Sequence, residues 1–396
     1  MSVAHEALFR VWDRLRDWLH QDRNALRLRG QIEEAAREWF EAERKYPPWS
    51  EERVIDTLEE IADSGVSLEG LKQAEVVQQF LGSTDVNELI QMLQPSMETD
   101  GGASARTYGE AWRLPLGHQA RASAGVRLAR LGDPRKGVGL RQDGLPDIDW
   151  CTVKEGGEVT IEIRRDPNDP NSEVIDTISQ RVEPFSIARY PVTLAQFKAY
   201  LDACYKGGHW LTPPGFPVAL SDEYPPPEHV ASHPNHPADS INWWDAMAFC
   251  AWLSDRSGLE IRLPTEFEWQ LAATGGDLER YIYPWGPEWK PQQEPWRANT
   301  AESRLNRSTA VGLYPHGASP VGALDMAGNL WEWCFNSFDE PMSPDFPASD
   351  EDRRVVRGGS WGGNLDDARA AYRDWGGPSY RSNVVGVRLV CSSPIL

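Results

Sequence analysis

Apolar positions recur every three or four residues from residue 4 to residue 45. Leu8, Val11, Trp12, Leu15, Trp18 and Leu19, then Leu26, Leu28, Ile32, Ala35 and Trp39, fall on one side of a helical wheel opposite Arg, Asp and Glu. Pro47-Pro48 ends that run. Shorter periodic runs predict helices over residues 51–64, 68–81 and 85–93, broken at Gly65, Gly82 and Pro95. The polar, glycine-bearing stretch 95–109 reads as a linker. Helical character resumes over 110–131 and stops at the turn that begins with Gly132-Asp133-Pro134. At Pro146 the period changes to two, which predicts short strands. Helical spacing then returns only briefly: after Thr193 to residue 201, over 243–253 with Ala246, Phe249, Cys250 and Leu253 inward, and over 266–273. Thr265 caps the last of these, with Glu268 at the capping-box position. The pattern therefore predicts a helical region over 1–94, a linker over 95–109, a helical lead-in over 110–145 and an α+β domain over 146–396.

The stretch 354–390 has neither period. Arg357, Gly358, Gly359, Ser360, Trp361, Ala368, Arg369, Arg373, Pro378, Arg381, Gly386 and Arg388 read as a frame. Between them lie small or polar positions, among which Gly362, Gly363, Asn364, Asp366, Asp367, Tyr372, Asp374, Trp375, Gly376, Ser379, Tyr380, Ser382 and Asn383 are the candidate ligand-binding residues. Loops pinned on a rigid support are where binding side chains concentrate. Trp375, Tyr380 and Tyr372 are the expected aromatic anchors, and Arg369, Arg373 and Arg388 the expected braces.

Composition narrows the function. The net charge of −20 argues against nucleic acid, whose phosphates need a basic face. The five cysteines are odd in number and widely spaced, with no CxxC, which fits reduced thiols in the cytoplasm. The charged N-terminus is no signal peptide, and no run approaches the roughly 18 apolar residues of a membrane span. Eighteen Trp are many for 396 residues and point to a compact, loop-rich fold.

Six blocks in order then carry a resemblance: ARYPVTLAQFKAYL (188–201), HPADSINWWDAMAFCAWLS (236–254), IRLPTEFEWQLAA (261–273), YPWG (283–286), ALDMAGNLWEWC (323–334) and VVRGGSWGG…GVRLV (355–390). Together they resemble the formylglycine-generating-enzyme, or sulfatase-modifying-factor, family, which implies a C-type-lectin-like fold. The family's oxidation chemistry needs a copper-binding cysteine pair, and alignment on Gly358-Gly359-Ser360-Trp361 puts Gly363 and Ala368 there, without thiolates. The related iron sulfoxide synthases take three His from a helical N-terminal domain. Before residue 200 this chain has only His5, His20 and His118, with no HxxxHxE. Gly358-Gly359-Ser360-Trp361-Gly362 matches GxSxG formally, yet no His follows His316. His229, His233 and His236 lie among prolines and read as a solvated loop. No cofactor is required, but the resemblance offers one candidate calcium site at Asn329, the Leu330 carbonyl and Glu332, with Asn299-Thr300 as the start of another.

The final block also resembles the variable region of diversity-generating-retroelement variable proteins, in which adenine-directed mutagenesis rewrites mainly Asn codons. Gly, Asp, Ser, Tyr, Asn and Val are all reachable from AAC by changing its adenines; Trp375 is not. The first forty or so residues resemble the segment after the ATPase core of STAND NTPases, although GxxxxGK[ST] is absent. These resemblances imply a non-catalytic protein that grips a protein or other ligand on a diversified surface and meets a signalling-protein partner through its N-terminal helices. The alternatives are an enzyme of the same superfamily with an unrecognised active site, or an inactive signalling adaptor.

Overall fold

The computed structural model describes residues 27–38, 41 and 118–392, except 167–168, 170–171, 207, 213–224, 232, 291–295, 348 and 350. The chain forms two compact units, Met1–Leu89 and Ile90–Leu396. Within the first, residues 27–38 are helical and bury Leu28, Ile32, Ala35 and Ala36, the face the periodicity predicts. The helices expected elsewhere over 4–94, and the linker, lie outside the described residues.

The second unit opens with α1 (His118–Leu131), whose Arg121 donates to the Leu313 carbonyl at 2.8 Å. Two four-stranded sheets follow. The first has the order β1 (Trp150–Val153), β4 (Phe185–Ala188), β12 (Val390–Cys391), β7 (Ile261–Arg262), so the last strand of the chain closes between two early ones. The second has the order β10 (Arg373–Gly376), β9 (Arg354–Arg357), β8 (Trp331–Ser337), β11 (Val385–Gly386). A hairpin of β2 (Gly157–Arg164) with β3 (Val174–Val182) and the short pair β5 (Tyr205–Lys206) with β6 (His209–Trp210) are the other strands among the described residues.

Among the described residues, the three α-helices of the α+β region begin where capping residues place them. Thr193, Asn242 and Thr265 each close a capping box ahead of α2 (Leu194–Cys204), α3 (Trp243–Ser257) and α4 (Glu266–Thr274), with Gln196, Asp245 and Glu268 as partners. Gly258 and Gly275 end the latter two in the left-handed conformation that glycine tolerates. One apolar cluster packs α2 and α3 around Phe197, Phe249, Trp252 and Trp333; another packs α4 around Phe267, Trp269, Ile187 and Val355.

Tryptophans serve the loops as well as the core. The buried Trp333 Nε1–H donates to the Ile241 carbonyl at 2.7 Å, and Trp243 to the Cys334 carbonyl at 3.0 Å. An indole thus covers apolar surface while supplying the donor that irregular backbone lacks. The expected α+β fold class holds.

Candidate functional site

Buried arginines hold the C-terminal segment. Arg388 and Glu332 have side-chain exposures of 0% and 1% and bond at 2.7–3.0 Å. Arg388 also donates to the carbonyls of Ala188, Arg189 and Leu324, while Trp269 Nε1–H fills out Glu332 at 2.7 Å. Arg373 clasps Glu266 at 2.6 and 2.9 Å. Arg357 donates to the Gln270 amide and the Ala370 carbonyl, and burial pulls its pKa down to about 10 despite Glu266 nearby. A guanidinium has five donors in a planar fork, so one residue can pin several stretches of loop at once. Arg381 reaches Asp245 at 3.0 Å and so ties this segment to the first turn of α3.

The candidate binding residues divide into three groups on this frame. Gly362, Asn364, Trp375, Ser379 and Tyr380 are exposed. Gly363, Asp366, Asp367, Asp374, Ser382 and Asn383 are half-buried. Gly376 is buried, which corrects its assignment as a ligand contact, and Tyr372 is buried apart from the edge it shows to the larger of two openings. Tyr372 packs against Trp331, with ring centroids 6.0 Å apart. A Cβ on Gly376 would sit 2.7 Å from Trp333, closer than side chains approach, so this position belongs to the frame.

Several polar residues hold their own loop. The Asn364 side-chain oxygen accepts from the amide of Asp366 at 2.7 Å, and an Asp367 oxygen accepts from the Asn364 amide at 2.8 Å. Burial, then the neighbouring Asp366 and Glu302, raises the pKa of Asp367. Burial also raises that of Asp374, whose carboxylate accepts from the Trp375 amide. Trp375 is 40% exposed, with the Arg353 guanidinium 4.7 Å from its ring centre, and Tyr380 is 52% exposed. Arg369 differs from the other braces: it pairs with Asp366 at 2.5 Å, both about one-third exposed.

The same segment walls two openings. One is a cleft of about 790 Å³ between β2, the 278–290 loop and Arg369, Ala371 and Tyr372, with Tyr283 and Trp289 in its wall. The other, of about 100 Å³, lies under Trp361 and Asn383. Trp361 Nε1–H donates to the Asn383 carbonyl at 3.1 Å, which fixes that edge. The histidine loop borders the smaller opening, a placement the sequence reading misses. His236 is only 5% exposed and His229 bonds the Asp239 carbonyl at 2.6 Å, so this loop is not simply solvated. The signal was present in Pro234 and Pro237, which hold the chain extended against the start of α2: the Leu194 and Ala195 amides donate to the carbonyls of His236 and Pro234.

The candidate calcium ligands do not fit calcium. Both oxygens of Glu332 already face the Arg388 guanidinium, and a divalent cation there would meet a like charge. Asn329 holds the loop at 309, its side-chain oxygen accepting from the Thr309 amide at 2.9 Å and its nitrogen donating to the Thr309 carbonyl at 3.2 Å. Asn299 is likewise engaged, with Arg307 and Ser303. Among the described residues, no group of three or more His, Cys, Asp or Glu side chains is placed to hold a metal ion.

Residues 148–393 match the sulfatase-modifying factor enzyme 1-like domain, and the chain belongs to that family, with its C-type-lectin-like α+β fold. Residues 1–46 match the family described as novel STAND NTPase 1. Hercynine oxygenase of Mycolicibacterium thermoresistibile is 30% identical over 301 residues, covering 66% of this chain and 63% of that protein. Formylglycine-generating enzyme of Thermomonospora curvata is 30% identical over 275 residues, 58% of this chain and 86% of that one. Treponema denticola variable protein 1 has a TM-score of 0.42 and 20% identity, covering 60% of this chain and 95% of that one. The chain spans between half and two thirds of the length of the curated oxygenases it matches.

These names correct one expectation. The resemblances implied a protein that is not an enzyme, yet relatives across more than half of the chain are named as enzymes. Loss of a thiol pair at Gly363 and Ala368 removes one set of ligands from the family's repertoire; it does not remove catalysis from a fold that hosts several chemistries.

Proposed function

We propose that this family member binds a ligand on the surface made by residues 361–383, and that the surface is diversified in the manner of retroelement variable proteins. One observation carries the reading: exposed positions alternate with arginine-held buried ones, and the same segment walls both openings. Such a division lets outward side chains change at little cost to the fold, because substitutions away from packed or bonded groups are usually worth only about 0.5 kcal/mol. Trp375 and Tyr380 supply aromatic contact area at low entropic cost, and Asp366 and Asp374 set the charge preference. The proposal concerns binding and holds whether or not the bound ligand is then transformed.

The five cysteines, all buried and none in a disulfide, fit a reducing compartment, and a cytoplasmic location is part of the proposal. Among the described residues no helix is long and apolar enough to cross a membrane. The N-terminal helices are proposed to meet a signalling-protein partner, a reading supported by the match over residues 1–46.

Sequencing the DNA beside the gene tests the diversification directly. The expected result is a reverse transcriptase and a near-identical repeat whose adenines fall at codons for the exposed and half-buried positions other than Trp375, sparing Tyr372, Gly376 and the arginines. A flanking region without such a repeat overturns it.

A further inference from the structure

The small opening under Trp361 is more than a gap between loops. His236 is one of its lining residues and is held by backbone bonds on both sides: its amide donates to the His233 carbonyl at 3.1 Å, and its carbonyl accepts from the Leu194 amide at 2.8 Å. One ring nitrogen, Nδ1, lies 3.3 Å from the Ser308 hydroxyl. The other, Nε2, is fully buried and has no hydrogen-bond partner. A buried polar atom left unpaired costs about 1–3 kcal/mol, so this nitrogen calls for a partner that the chain does not supply.

The opening decides what that partner can be. At about 100 Å³ it has room for a group the size of about three water molecules. Asp239, the carboxylate in its wall, is already engaged by the amides of Val230 and Ala231 at 2.8 and 2.6 Å and by the Ser240 hydroxyl at 2.9 Å. The charges that act on the two histidines are cationic: Arg130 and Arg307 on His233, and His233 and Arg307 on His236. Burial and these charges lower the pKa of both rings, that of His236 to about 3, so the His236 imidazole is neutral near pH 7. Val230, Ala231 and the Trp361 ring add apolar wall beside these polar groups. A neutral imidazole N–H near the Arg307 guanidinium and an apolar wall, with the Asp239 carboxylate held by its own three donors, suits a small anion with an alkyl end. Inorganic phosphate has no apolar part to place against Trp361, and an ammonium group would meet the wrong field.

We propose that the pocket formed by His236, Ser308, Arg307 and Trp361 is a binding site for a short-chain monocarboxylate, or for the carboxylate end of a larger ligand. His236 donates through Nε2–H to the carboxylate. For this the Ser308 hydroxyl donates to Nδ1 and so selects the tautomer. The site is independent of the outward positions at Trp375 and Tyr380.

Calorimetric titration of the full chain with sodium acetate tests this, with inorganic phosphate and methylammonium as comparison probes. Saturable one-site binding of acetate is expected, with a dissociation constant on the order of 1 mM, as befits four heavy atoms. His236→Phe keeps the ring and removes both nitrogens, and should weaken acetate binding about tenfold or more. Ser308→Ala leaves the imidazole in place without its tautomer-setting partner and should weaken binding about threefold to tenfold, which keeps the test decisive if His236→Phe does not fold. Ile175→Ser, at an exposed position of β3 outside both openings, should leave acetate binding unchanged. Absence of saturable acetate binding, tighter binding of phosphate or methylammonium than of acetate, or binding that survives both His236→Phe and Ser308→Ala overturns the proposal.

Discussion

Arg388 is fully buried, and its charge is sustained there by Glu332 and three backbone carbonyls. Removing one member of such a pair strands the other charge in low dielectric. Arg388→Met is therefore expected to cost about 3–5 kcal/mol in urea unfolding. Tyr380, half-exposed and outside this network, should tolerate replacement by Ser within about 0.5–1 kcal/mol. Equal losses from the two substitutions would erase the distinction between frame and outward position on which the binding surface depends. Gly376 supplies a further check, since the binding reading alone would let it vary freely. With Trp333 2.7 Å from where its Cβ would lie, Gly376→Val should cost about 1–3 kcal/mol or more, measured in the same way.

At the scale of elements, α4 links the frame to the sheet. Thr265 caps the helix through the Glu268 amide, Glu268 returns to the Thr265 amide at 2.8 Å, and Arg262 on β7 grips Glu268 at 2.6 and 2.7 Å. At the first position of the same helix, Glu266 holds Arg373 of β10. Thr265→Ala should cost about 1 kcal/mol, the usual worth of an N-cap. Restoring the hydroxyl with Ser at this position should recover most of it, as read from the thermal midpoint. No recovery would mean that the loss lies in packing and not in the cap.

For the whole molecule, two buried groups set opposing pH dependences. His236, surrounded by protein and acted on by His233 and Arg307, has its pKa lowered to about 3. The unfolded chain takes up that proton first, near the ordinary value of 6.5, so stability complete above 6.5 is lost as pH falls toward 3. Asp325 has its pKa raised to about 6 by burial, with the Gly312 amide and Arg388 opposing the shift and Glu332 adding to it. Here the folded chain holds the proton longer, so stability falls as pH rises from 3.8 to about 6. The two slopes largely offset each other between those values. Asp325→Asn should unmask the acid-side loss, and His236→Gln should unmask a decline of about 3 kcal/mol as pH rises through the same window. Unfolding free energies of both variants and of the parent from pH 4 to 7 check this; parallel curves would contradict it.

Local chemistry was legible in the residues themselves. Thr193 and Thr265 cap helices because a short side chain with an oxygen sits ahead of an apolar-periodic run, and that requirement is met within four residues of chain. The inward face of α3 and the frame arginines Arg373 and Arg388 could be read for the same reason, through spacing and through residue types costly to leave without partners. Tertiary structure decided what depends on contacts distant in sequence. Glu332 looked free to bind calcium until Arg388, 56 residues away, occupied it. Tyr372 and Gly376 looked like their exposed neighbours until Trp331 and Trp333 packed over them. His236 looked like part of an open loop until Ser308 and Trp361 enclosed it. Burial belongs to both partners of a contact, and a local stretch of sequence holds only one of them.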